Sequence, residues 1–275
     1  MKKLKWYSAI AITSALLLGA CGTDEAEEKK EEVVEEEKID LAKEAETYKA
    51  SALEQLPLLI EDLKLLNQHI QNNELENAQK LYPLVRMQVE RLQPLQSSFK
   101  DEFALLDGKV EIGKESDLAG FAKVEELLFK DKKAADAKVV IAEVVKAAEE
   151  LSTKLQSDTL DGTVILEDTS DMIETADNRL NGKIATFGDA EIYELKGNIE
   201  AVEQIVAAYK NRADSEKVAE VTENIDTLND VITFYEVGKE DYVKYNLFTN
   251  SQKEELIAAL KNVASSYNDM KKTIQ

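Results

Sequence analysis

Apolar residues recur at three- and four-residue intervals along nearly all of the chain beyond residue 48, the spacing that lines one face of an α-helix. Leu53, Leu56, Ile60, Leu63 and Ile70 form a first stripe, and Ala78, Leu81, Val85, Val89 and Leu92 a second. Phe121, Val124 and Leu128 make a third, and Val140, Val144, Ala148, Leu151 and Leu155 a fourth. The second half repeats the habit with Leu166, Thr169, Ile173, Ala176 and Leu180, then with Ile192, Leu195, Ile199, Val202 and Val206. It closes with Val218, Val221, Ile225, Leu228 and Ile232, and with Leu256, Leu260, Val263, Tyr267 and Met270. These stripes predict eight helices and no strand.

The residues between the stripes fit the same scheme. Asn72 and Asn73 break the first pair, Gly108 and Gly113 bracket one loop, and Gly182 and Gly188 another. Pro57 and Pro83 fall within or at the start of stripes, so each opens a helix at its first turn or kinks one; Pro94 follows the second stripe. The run SDTLDGT from Ser157 to Thr163 separates two four-helix groups. The expected fold is all-α, with two antiparallel four-helix bundles in series over residues 46–156 and 157–275. A helix in each half opens with a similar pair, Leu81-Tyr82 and Ile192-Tyr193, a match that would fit an internal duplication.

The N-terminus follows other rules. Lys2, Lys3 and Lys5 precede the apolar run Ala9 to Leu18, which is short for a membrane span; then LLGAC places Gly19 and Ala20 before the only cysteine, Cys21. This order of charge, apolar run, small residues and cysteine resembles a bacterial lipoprotein signal. It predicts a signal peptide over residues 1–20, acylation of Cys21, and an extracytoplasmic protein held at the cell membrane by lipid rather than by a spanning helix. DEAEEKKEEVVEEE, from Asp24 to Glu37, carries almost nothing to bury, so residues 21–45 are expected to form an acidic, disordered tether.

Composition narrows the chemistry. A formal net charge of −21 disfavours nucleic acid and an anionic lipid surface as partners. The single histidine, His69, lies near a predicted helix end, where it fits a surface or C-terminal capping role. One His and one acylated Cys leave no material for a Cys-His pair, a Ser-His-Asp triad or a His-rich zinc site, and no phosphate-binding glycine loop is present. The chain is therefore not expected to be an enzyme.

Carboxylates on facing helices remain. Arg86 and Glu90 stand one helical turn apart in VRMQVERLQP, so Arg86 can brace Glu90. Glu125 lies in GFAKVEELLF beside Glu126, which points elsewhere, and Glu54 projects from the first helix. Meeting inside a bundle, Glu54, Glu90 and Glu125 would form an oxygen-only site for a hard cation; otherwise Arg86 simply neutralises buried glutamates.

The run AQKLYPLVRMQVERLQPLQSSF followed by GFAKVEELLF resembles the imelysin-like domain of EfeO/EfeM lipoproteins, in which an A-x-x-x-Y-x-x-x-R-x-x-x-E-R-I-E-P helix precedes a G-F-H-x-I-E-x-x-L-F helix. EIYELKGNIEAVEQIV is similar to the family's D-L-Y-D-F-x-A-N-I-x-G-A segment, and the last helix resembles the family's closing helix, so the likeness runs from about Tyr48 to the C-terminus. It implies a component of an EfeUOB-type iron-uptake system, working beside a membrane permease and a haem-dependent peroxidase. It also implies a metal site.

The departures fall on that site. Ala122 stands where the family has the His of H-x-x-E, and Gly188, Asp189, Ala190 and Glu191 stand in place of S-H-T-D. Carboxylate and arginine survive: Glu90, Glu125, Asp189, Glu191 and Glu54 as candidate ligands for ferric or ferrous iron, with Arg86 balancing charge. Loss of both imidazoles removes any basis for zinc-dependent peptide hydrolysis. Two readings follow from the resemblance: a lipoprotein that binds or delivers iron through carboxylates, or a metal-free interaction protein that reuses the fold. They differ in whether Arg86, Glu90 and Glu125 converge on a cavity or close into a salt-bridged core.

Overall fold

The computed structural model describes residues 39–275. The expected signal peptide, Cys21 and the expected tether as far as residue 38 lie outside the described residues.

Helix α1 spans Ala42–Gln71, starting four residues before the expected boundary at 46 because Leu41 and Ala45 are already buried. Pro57 lies within α1 on its exposed side, and Pro83 lies within α2, Leu75–Glu90. Between them Asn72 ends α1, and Asn73 turns the chain with φ 59°, a left-handed value that asparagine tolerates. A 3₁₀ turn, Gln93–Leu95, contains Pro94 and leads into α3, Lys100–Leu106. Helix α4, Gly120–Glu125, runs into one π-helical turn, Glu126–Lys130. Helix α5 covers Lys138–Ser157 and α6 Gly162–Leu180, with the connection between them at residues 158–161. Helices α7, Glu191–Tyr209, and α8, Ser215–Phe234, follow. A short antiparallel hairpin pairs β1, Glu236–Gly238, with β2, Asp241–Tyr242, before α9, Asn250–Lys271.

The described residues thus hold one helix more than the stripes predict, together with a small hairpin. Helix α3 has 7 residues, too few for a stripe to repeat, and β1 and β2 have 3 and 2 residues, too few for alternation to register.

In the first half α1 packs on α2 and α5; in the second, α9 packs on α6 and α8. The halves meet where α7 lies against α2 and α1, and residues 39–275 form one compact unit. Gly197 makes the α2–α7 approach possible: a Cβ there would lie 2.2 Å from the Met87 carbonyl oxygen. Buried tyrosines tie the helices together through their hydroxyls. Tyr209 donates to the Gly162 carbonyl at 2.9 Å and Tyr267 to the Leu166 carbonyl at 3.1 Å, and burial pushes both phenols well above their ordinary range. Among the described residues no helix is long and apolar enough to cross a membrane.

Candidate functional site

The close contact at Gly197 brings the C-terminal half of α2 against the first turns of α7, and with it Arg86 and Glu90 against Glu194 and Asn198. All four side chains are buried, which demands that their charges be matched. Arg86 donates Nη2 to Glu90 Oε1 at 2.6 Å, Nε to Glu194 Oε1 at 2.8 Å and Nη1 to the Leu106 carbonyl at 3.1 Å, and its Nη2 also reaches Asp107. Its guanidinium lies 5.9 Å from the centroid of the Phe121 ring.

Two further cations close the cluster. Arg179, in the last turn of α6, lies with Nε 2.7 Å from Glu194 Oε2 and Nη2 3.4 Å from Glu90 Oε1. Lys109 comes from the loop after α3, where Gly108 adopts φ 67° and a Cβ would strike the Ala119 carbonyl oxygen at 2.0 Å. Its ammonium bonds Glu90 Oε1 and lies 3.2 Å from Asp107 Oδ1. The Glu90 Oε2 atom accepts from Asn198 Nδ2 at 2.7 Å. Three cations, Arg86, Lys109 and Arg179, thus face three carboxylates, Glu90, Asp107 and Glu194. Burial alone would raise the Glu90 carboxyl, but Lys109, Arg179 and Arg86 together hold it well below the usual carboxylate range.

Glu125 stands on the other side of this cluster. It sits at the end of α4, whose entry depends on Gly120: φ is 48°, and a Cβ would meet the Leu105 carbonyl oxygen at 2.0 Å. Its Oε1 accepts from the backbone N–H groups of Gly188 at 2.8 Å and Phe187 at 3.2 Å, which ties the loop before α7 to α4. Burial, reinforced by the charge of Glu194, pushes its carboxyl up to about 7 against those two donors. Glu191 opens α7 nearby. Its Oε1 accepts from Thr186 Oγ1 at 2.9 Å, its Oε2 has no hydrogen-bond partner among the described residues, and burial raises its pKa.

The other anticipated residues lie elsewhere. Asp189 takes a left-handed φ of 52° and accepts from Asn246 Nδ2 at 2.9 Å. Glu54 is exposed on α1, at a surface cleft with Arg91 and Glu200, and does not join the buried carboxylates. Glu126, itself buried, pairs with Lys123 and with Lys130, the latter at 2.7 Å. His69 pairs with Glu74 at 2.6 Å in the last turn of α1. Ala122 is buried, and its backbone N–H donates to the Asp107 carbonyl at 3.0 Å.

Iron would need several free oxygen donors converging on one point. Glu90 already gives both oxygens to cations and an amide, Glu125 binds backbone with one of its two, Asp189 accepts from Asn246, and Glu54 is exposed on the surface of α1. Among the described residues no group of three His, Cys, Asp or Glu side chains is placed to hold a metal ion. Glu90, Glu125, Asp189 and Glu54 thus do not converge on one point, and Glu191 keeps a single free oxygen, Oε2; what the cluster around Arg86 does is neutralise its own charge.

Sequence reasoning missed Lys109, Asp107, Arg179 and Glu194. Glu194 and Asn198, one turn apart and flanking Leu195, carried a usable signal, since polar residues within an apolar stripe need partners.

No family model matches the chain. The chain is 27% identical over 288 residues to an Efem/EfeO family lipoprotein of Staphylococcus haemolyticus, covering 98% of each protein. Proteins of the same description from Staphylococcus aureus strains MSSA476 and NCTC 8325 are 26% identical over 244 residues, 85% of each. Over nearly its full length, then, the chain is a relative of the Efem/EfeO family lipoproteins, the family that its helix motifs resemble.

Proposed function

We propose that this chain is the lipid-anchored, extracytoplasmic component of an Efe-type iron-uptake system, and that it works by contact with the permease and haem-dependent peroxidase of that system rather than by holding iron at Glu90. The role in iron uptake rests on the family resemblance and on the likeness to the staphylococcal lipoproteins. The metal-free part rests on one observation: Arg86, Lys109 and Arg179 occupy the surroundings of Glu90 and Glu194 that a cation would otherwise fill. A protein side chain does there what a bound ion would do, with no dependence on supply.

On this reading, lipid on Cys21 would keep the folded part beside the permease. Radio-iron uptake in cells lacking this protein, complemented with variants, tests the reading. Wild type and Glu125→Gln should restore uptake equally, because glutamine keeps the oxygen that accepts from Gly188 and Phe187, and Cys21→Ser should not. Loss of uptake in Glu125→Gln at normal protein level would mean that the carboxylate itself handles iron.

A further inference from the structure

A cavity of about 450 Å³ opens between the Arg179–Glu191 connection and the start of α9, within the size range of small-molecule sites, about 300–1,000 Å³. Glu115, Arg179, Asn181, Thr186, Glu191, Tyr245, Asn246 and Lys253 supply its polar lining. Two of these are almost fully buried yet incompletely bonded. Arg179, 3% exposed, is ion-paired with Glu194 and donates Nη2 to Glu90, but among the described residues its Nε and Nη1 have no hydrogen-bond partner; Glu191, 8% exposed, leaves Oε2 without one. Buried polar atoms left so are rare and costly, and Arg179 and Glu191, which carry them, both line this cavity.

The donors and acceptors define its chemistry. Lys253 holds its ammonium 4.6 Å from the centroid of the Tyr245 ring, which orients a cation at the cavity wall. With Arg179 it offers charged N–H donors suited to a carboxylate. Glu191 Oε2 is an acceptor, and Asn181 and Asn246 use their amide N–H groups on Asp177 and Asp189, which leaves their carbonyl oxygens as acceptors also. A simple anion matches the first set and is opposed by the second. A ligand with both carboxylate and hydroxyl satisfies the two together.

We infer that this cavity binds a compact hydroxycarboxylate, its carboxylate toward Arg179 and Lys253 and its hydroxyl toward Glu191. The site does not depend on the proposed role in iron uptake, and it needs no metal.

Calorimetric titration of the full chain in detergent and metal-depleted buffer tests it, with citrate as the probe and tricarballylate, which lacks the hydroxyl, and inorganic phosphate as controls. Citrate should bind saturably and about tenfold more tightly than tricarballylate, the worth of one hydrogen bond to a charged group. Arg179 also braces the core, so the informative variant is Lys253→Gln on the partly exposed face of α9. It should weaken citrate about tenfold while leaving the melting curve unchanged. Absence of saturable heat with citrate, equal binding of phosphate, or indifference to Lys253→Gln would each overturn the assignment.

Discussion

Replacing Arg86 by methionine keeps an aliphatic stem in the core and removes every guanidinium donor. Glu90, Asp107 and Glu194 would then face only Lys109 and Arg179, a buried excess of one negative charge, and the Leu106 carbonyl would lose its donor at 3.1 Å. Removing one partner from a buried ion network costs about 3–5 kcal/mol, because the remaining charge stays out of water. In a folded unit of this size each kcal/mol lowers the melting temperature by about 2–4 °C, so Arg86→Met should melt about 6–20 °C below wild type. Thermal unfolding followed by circular dichroism reads this directly. Combining Arg86→Met with Glu194→Gln restores the charge balance and should recover part of the loss, a non-additivity that a pair of independent sites would not show. A single-variant cost within about 0.5 kcal/mol, or strict additivity in the pair, would refute the view that these charges form one interdependent cluster.

Glu125 gives a pH dependence of definite sign. Its folded carboxyl, pushed up to about 7, still holds a proton where the unfolded side chain, near 4.5, has lost its own. Stability is therefore lost as pH rises through that window, by on the order of 3 kcal/mol, and denaturant titrations from pH 5 to 8 should show Glu125→Gln lacking this decline. Glu90, held low by its three cations, behaves in the opposite sense: its contribution is present above the ordinary carboxylate range and disappears only in strong acid, which acid unfolding of Glu90→Gln should reveal by a shallower slope. Gly197→Ala places a Cβ 2.2 Å from the Met87 carbonyl oxygen and should cost about 1–3 kcal/mol in urea denaturation by forcing α2 and α7 apart. Glu54→Gln, on the exposed side of α1, should change stability by less than about 0.5 kcal/mol in the same assay.

The helices were legible because each long one buries a continuous stripe, and the bracing of Glu90 by Arg86 was legible because it lies within one helical turn, where sequence spacing fixes geometry. The remaining charges of the cluster were not. Glu194 lies 108 residues from Arg86, and Lys109 is placed by the left-handed turn at Gly108 rather than by any helical period. Glu54 shows the converse error: it has the residue type a cation site needs, but Ala52 and Leu56 face the core and Glu54 faces water. Residue type and spacing reveal which carboxylates exist; only the crossing of α2 and α7 decides which cation each one meets.

On the proposed function, Arg86, Lys109 and Arg179 stand where an iron ion would otherwise sit. Anaerobic calorimetric titration of the full chain in detergent with ferrous ion, alongside Glu90→Ala and Glu125→Ala, tests it most directly. No saturable binding is expected in wild type, and no change in either variant. Equimolar, saturable binding in wild type that both substitutions abolish would contradict it and restore a carboxylate iron site.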